Sequence, residues 1–295
     1  MKGFFKWVVQ FVVALISILL ISGAPQLITG FQKGELLWEE YLETLQFHMK
    51  SLWDFRDLSI DYYIGRGEVR QVPVFPQLFE NISYSLQLLF LALAAAIIMA
   101  LIGTFITMLL SEKSRSRVKM IFYFLESFPD ILIILLAQLT VVVIFQQTGV
   151  LVSKVAVIGD DKIYWLPVLC LMILPMIQLY RLSMLTFEAE ERQMYVELAK
   201  SLGFGKAFIL FLHIFRNAII SVFFQSKKTM WFMLSNLFIL ELMFHIPGIM
   251  YYKYAHLRGI LFLVNVLSFF LSVFLLYSLG EWYFMRRTNR GGALL

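Results

Sequence analysis

The sequence predicts an all-α integral membrane protein with six transmembrane helices, both termini cytoplasmic, and one long external segment after the first span. Three observations predict it. Hydrophobic residues make up 60% of the 295 and charged residues only 15%, whereas a water-soluble domain carries about 45–50% apolar and about 25% charged residues. The mean hydropathy is +0.78, more apolar surface than one water-soluble core would hide. The apolar residues also gather in six stretches long enough to cross a bilayer, which takes about 20 residues each.

Those stretches are residues 7–28, 84–110, 118–145, 163–187, 218–244 and 259–285. The first also reads as a secretory signal peptide, with Lys2 and Lys6 as its basic region and Ser22-Gly23-Ala24 as its cleavage site. Five spans follow on either reading. Orientation comes from Lys and Arg in the short loops, which concentrate on the cytoplasmic side. Lys113, Arg115, Arg117 and Lys119 follow the second span, and Arg192, Lys200, Lys206 and Arg216 separate the fourth from the fifth. Lys2 and Lys6 open the chain, while Arg286, Arg287 and Arg290 close it. The short loops of the opposite side hold only Lys154 with Lys162, and Lys253 with Arg258, and the long segment 29–83 carries nine acidic residues against five basic ones. The net charge of +5 is therefore a topology signal, and no nucleic-acid partner is expected. The single cysteine, Cys170, lies in an apolar run, so it reads as a small buried hydrophobe and excludes an intrachain disulfide.

The resulting organisation is a first helix (1–28), an external segment (29–83), a five-helix core (84–285) with a cytoplasmic loop at 188–217, and a tail (286–295). In the external segment Leu37, Tyr41, Leu45, Met49 and Leu52 recur at helical spacing, predicting an amphipathic helix on the bilayer surface or against the spans. Arg66-Gly67 and Pro73 mark the turns that return the chain to the second span.

No catalytic constellation stands out. A phosphate loop needs G-x-x-x-x-G-K-[ST], but Gly205-Lys206 is followed by Ala207 and position 200 is a lysine. His48, His213, His245 and His256 are scattered without metal-ligand spacing. Neither cofactor nor metal is called for, and the chain does not read as an enzyme.

The 188–217 loop carries the most information. Residues 190–201 read as a helix with Tyr195, Leu198, Ala199 and Leu202 on one face, stopped by Gly203-Phe204-Gly205. A second helical run starts at Lys206 and continues into the fifth span. Two short helices joined at a glycine turn make a knob with Leu202 and Phe204 as apolar tips, suited to a partner's groove.

Tyr195-Val196-Glu197-Leu198-Ala199-Lys200-Ser201-Leu202-Gly203 resembles the EAA motif of ABC importer permeases. His213-Ile214-Phe215-Arg216-Asn217-Ala218-Ile219 resembles the H-x-L-R-N-A-L run of the dipeptide/oligopeptide/nickel branch, and Glu241 to Phe244 with Pro247-Gly248 falls at the spacing of that branch's E-T-V-F…P-G. The resemblance covers nearly the whole chain. It implies a multi-pass subunit of the bacterial inner membrane, paired with a second homologous permease, gripped by two cytoplasmic ATPase subunits, and supplied by an external substrate-binding protein. On that reading Glu197, Leu198, Ala199, Leu202, Gly203, Phe204 and Gly205 couple to the ATPases, and Arg216 and Asn217 anchor the fifth span. The chain departs from the branch in its fifth span, where residues 222–240 hold no glycine but Phe223, Phe224, Trp231 and Phe232, and where Ser221 replaces a usual proline.

Lys227 and Lys228 sit about 16 Å along the helix from Arg216, at 1.5 Å per residue. Glu126 and Asp130, four residues apart on one predicted helix, reach a similar depth. Charges so deep face a partner or a cavity, which leaves two readings: an ion pair between the third and fifth spans, or a lysine lining the pathway and attracting a peptide carboxylate. Arg181 and Glu241, near span ends, read as snorkelling or capping groups. The function expected is peptide import driven by ATP hydrolysis in partner subunits. The alternatives are a non-conducting regulatory or scaffold subunit, and a stand-alone channel or secondary transporter.

Overall fold

Apolar runs in this chain become helices, and glycine or proline stands at several of the breaks, among them Gly23, Pro129, Gly149 and Gly203. The computed structural model describes residues 2–33, 37–54, 59–64, 68–73, 75–157, 161–249 and 259–288. The turn at Arg66-Gly67, the residues Lys253, His256 and Arg258, and the tail from 289 lie outside them. The helices are α1 (Lys2–Ser22), α2 (Ala24–Lys33), α3 (Trp38–Trp53), α4 (Gln77–Leu109), α5 (Glu112–Glu126), α6 (Asp130–Thr148), α7 (Trp165–Glu191), α8 (Met194–Ser201), α9 (Lys206–Ile209), α10 (Phe215–Phe244) and α11 (Gly259–Thr288). A π-helical turn, Leu210–Ile214, joins α9 to α10. One antiparallel hairpin, β1 (Ser59–Ile64) with β2 (Glu68–Pro73), departs from the all-α expectation. It pairs Ile60 with Val72 and Tyr62 with Arg70.

Among the described residues five helical segments are long and apolar enough to cross a membrane: Gln77–Leu109, Asp130–Thr148, Trp165–Glu191, Lys206–Phe244 and Gly259–Phe284. A shorter apolar stretch, Trp7–Ser22, belongs to α1. Two predicted spans need correction. The first does not run to Ile28, because the chain breaks at Gly23. A Cβ there would lie 2.8 Å from the Tyr41 ring, so the turn takes the one residue that lets α3 approach this closely. The third does not run from 118 to 145. Pro129 lacks the N–H that an unbroken helix needs and restricts the residue before it, so α5 ends at Glu126 and α6 starts at Asp130.

Contacts divide the chain into two units, residues 1–83 with 251–295, and residues 84–250. In the first, α1 packs on α11 through Trp7 and Phe11 against Phe270 and Phe274, and Trp7 Nε1 donates to Ser278 Oγ at 2.8 Å. The predicted amphipathic helix is α3, although its buried face is Tyr41, His48 and Ser51, and Met49 is exposed. Its Tyr41 hydroxyl donates to the Leu20 carbonyl at 3.0 Å. The His48 ring lies 2.8 Å through Nδ1 from Ser22 Oγ, and a Cβ on Gly259 would come within 2.7 Å of the same ring. Burial pushes the His48 imidazole below its ordinary 6.5, because a cation there loses water without gaining a counter-ion.

That depression sets the sign of a pH effect. Above about pH 6.5 the ring is neutral folded or unfolded, and it costs nothing. As pH falls further, the unfolded chain binds a proton that the folded one resists, so stability declines. The thermal midpoint of the purified protein is expected to drop by about 3 °C more than that of His48→Asn between about pH 7.5 and pH 5.5. Parallel curves for the two proteins would show that His48 is not the group responsible.

In the second unit α7 and α10 form the closest helix pair, with α6 against both and α5 along α7. Its core gathers Ala96 and Ala100 of α4, Leu179 and Phe187 of α7, and Ala218 and Val222 of α10.

Candidate functional site

The 188–217 segment folds as two short helices on the end of α7, with boundaries that shift the expected picture. Residues 190 and 191 belong to α7, and α8 begins at Met194. Its buried face is Val196 and Ala199, with Tyr195 half-buried, so the expected apolar face of Tyr195, Leu198, Ala199 and Leu202 divides between the core and the surface. The reason is local: Val196 and Ala199 are small enough to sit against the core cluster beside Ile209 and Ile214. Leu198 is 62% and Leu202 66% exposed, and Met194, Phe204 and Phe208 join them as an apolar surface. Glu197 is exposed beside them.

The turn is fixed by its backbone. Gly203 adopts φ +82°, its N–H reaches the Lys200 carbonyl at 3.0 Å, and the Phe204 N–H reaches Ala199 at 3.3 Å. Those two bonds form a Schellman cap, whose left-handed position favours glycine. Gly205 then serves as the N-cap of α9, its carbonyl receiving the Ile209 N–H at 3.1 Å. Phe204 stacks on Phe208 with centroids 5.0 Å apart. Behind the knob lies a cavity of about 360 Å³ lined by Met108, Val196, Ile209, Leu210 and Ile214, with Glu191, Lys200 and Lys206 among its walls. The knob is thus held along one edge and has room along another.

Arg216 is exposed and Asn217 half-buried in the first turn of α10, directly after the π-helical turn. Such turns concentrate where a helix changes direction at a working site. Lys227 and Lys228 are both exposed, beside buried Thr229 and Met230. Glu126 and Asp130, expected on one helix face, stand on different helices and meet different partners. Glu126 pairs with Arg181 at 3.1 Å, so Arg181 is an ion-pair residue and not only a snorkelling one. Asp130 accepts a hydrogen bond from Asn236 of α10.

Glu241, expected near a span end as a snorkelling or capping group, is 1% exposed. Its carboxylate accepts the Ser85 hydroxyl, and Ser85 Oγ receives the Ile249 N–H at 3.1 Å. The Glu241 carbonyl receives the Ile246 N–H at 3.2 Å, and Gly248 lies against the carboxylate itself. This knot of α4, α10 and the turn after α10 is a buried polar cluster that sequence reasoning missed. The spacing of Glu241 to Pro247-Gly248 was its only sequence signal. Among the described residues no group of three His, Cys, Asp or Glu side chains is arranged to hold a metal ion.

Residues 92–283 match the family model described as binding-protein-dependent transport system inner membrane component. No curated protein matches the chain. The matched range contains the knob, the exposed lysines and, of the knot, Glu241 and the turn after α10, while Ser85 lies before it.

Proposed function

Since the chain belongs to the family of binding-protein-dependent transport system inner membrane components, we propose that it is one of two permease subunits of an ATP-driven peptide importer. The knob of α8 and α9 is its contact with cytoplasmic ATPase subunits. The observation that carries this reading is the exposed apolar surface of Met194, Leu198, Leu202, Phe204 and Phe208 on a turn fixed by Gly203. Apolar anchors of this kind dominate helix-in-groove binding. The basic residues flanking it support a cytoplasmic position for it and for both termini, by the positive-inside rule. The His213 to Ile219 run suggests the dipeptide/oligopeptide/nickel branch, and within it Lys227 and Lys228, two exposed cations on α10 that suit a C-terminal carboxylate, favour peptides as solute.

A second reading has its own observation. Phe215–Phe244 contains no glycine and carries Phe223, Phe224, Trp231 and Phe232, which favours a subunit that assembles without conducting.

Gentle purification of the chain from its native membrane, with its companions identified by mass, tests the proposal. Two ATPases and a second permease are expected. The chain recovered alone from several mild detergents would overturn the assignment. A complete complex that takes up no peptide would turn it to the non-conducting reading.

A further inference from the structure

Two matching helix faces meet next to the knob. On α5, Arg115, Lys119, Phe122 and Glu126 recur at intervals of four, three and four, which is one face of a helix. On α7, Glu191, Glu188, Tyr180 and Arg181 meet them in turn, α7 running broadly the opposite way. Arg115 lies 2.9 Å from Glu191 and 4.0 Å from Glu188, and Lys119 lies 2.9 Å from Glu188. Phe122 stacks on Tyr180 with centroids 4.0 Å apart, and Glu126 closes the row on Arg181.

The signs reverse along both faces. Two cations then an anion on α5 meet two anions then a cation on α7, so a slip of about two turns would set Lys119 against Arg181. No residue of α5 is fully buried; Val118 and Phe122 pack half-buried against the core cluster, and the charge pairs and the ring stack select the register of that contact. The row also reaches further. Arg115 donates to the Met108 carbonyl in the last turn of α4 at 3.0 Å, and Tyr180 donates to Thr107 at 3.0 Å. Glu190, between the two paired glutamates, accepts the hydroxyl of Tyr195 on α8.

We propose that Arg115 and Lys119 are positioning residues for energy coupling. They hold the last turn of α7, which is the root of the knob, against α5, which leads through Pro129 into α6. Displacement of the knob is thereby carried to a membrane-crossing helix through charge pairs of fixed register. The coupling half of this inference rests on the function proposed above; the positioning half does not.

Two measurements keep the halves apart. A nitroxide on Leu202→Cys, in a Cys170→Ala background, reports knob mobility in the isolated chain. Arg115→Glu is expected to sharpen its spectrum, and the exchange Arg115→Glu with Glu191→Arg to restore it. In the complex purified from native membranes and placed in nanodiscs, the same charge reversal is expected to lower solute-driven stimulation of ATP hydrolysis by about fivefold, with recovery in the exchange. Arg115→Gln, which keeps a donor but no charge, gives the same direction should the reversal fail to reach the membrane. An unchanged nitroxide spectrum, or an exchange that restores neither readout, overturns the proposal. If no ATPase accompanies the chain, the importer reading falls, and the nitroxide result alone decides the positioning role.

Discussion

Gly203→Pro is expected to abolish solute-driven ATP hydrolysis while the protein still inserts in the membrane at its normal level. Proline holds φ near −65°, whereas residue 203 stands at +82°. Its missing N–H deletes the bond to Lys200, and the redirected chain removes the one from Phe204 to Ala199. Both bonds close α8, so the helix end unravels and the apolar tips Leu202 and Phe204 lose their mutual placement. The local cost is about 3 kcal/mol or more, ample to destroy an eight-residue helix whose fully buried residues are Val196 and Ala199. Insertion depends instead on spans that do not include the turn. Gly203→Ala separates backbone from sterics: nothing lies within 4 Å of an added Cβ, so its penalty is only the left-handed conformation, about 1–2 kcal/mol. Partial loss is expected for alanine and complete loss for proline, measured as ATP hydrolysis with and without binding protein and solute in the reconstituted complex. Wild-type stimulation in the proline variant would remove the knob from the coupling path.

Features with local causes were the legible ones. The periodicity from Leu37 to Leu52 announces α3, and Gly203-Phe204-Gly205 announces the turn of the knob, because each signal lies within a few residues of its effect. Pro129 was equally visible. An apolar run averaged over about twenty residues passes across a single proline, which is how the second half of α5 and most of α6 merged into one predicted span. Which face of α8 is buried was not legible, since an eight-residue helix makes barely two turns and both faces carry apolar residues. Lys119 and Arg115 read only as loop charges until α7 placed Glu188 and Glu191 opposite them. Glu241 was the least legible of all. Its water is replaced by Ser85, 156 residues away, and no spacing within one helix foretells such a partner.

Gly248→Ala is expected to prevent the second unit from folding to a stable state. An ideal Cβ at 248 would stand 2.3 Å from the Glu241 carboxyl carbon and from one of its oxygens, well inside van der Waals contact. Relief would require the carboxylate to move, but it is 1% exposed and bound to Ser85. The backbone at 248 is pinned as well, its N–H reaching the Ile246 carbonyl at 2.8 Å. Overpacking with neither side free to yield costs about 3 kcal/mol or more, and any rotation of Glu241 that made room would strand a buried carboxylate. Ser85→Ala is the milder counterpart. It leaves the Ile249 N–H and one carboxylate oxygen without the hydroxyl that now serves both, at about 1–3 kcal/mol. Glu241→Gln keeps the shape but loses the charge-assisted bond, and falls between wild type and Ser85→Ala. Thermal unfolding in one detergent should therefore rank the proteins wild type, Glu241→Gln, Ser85→Ala, Gly248→Ala, the last with little protein recovered at all. A Gly248→Ala protein melting within a degree or two of wild type would mean that the turn after α10 yields freely, and the knot of Ser85, Glu241 and Gly248 would then be a packing detail and not the fastening of that end of α10.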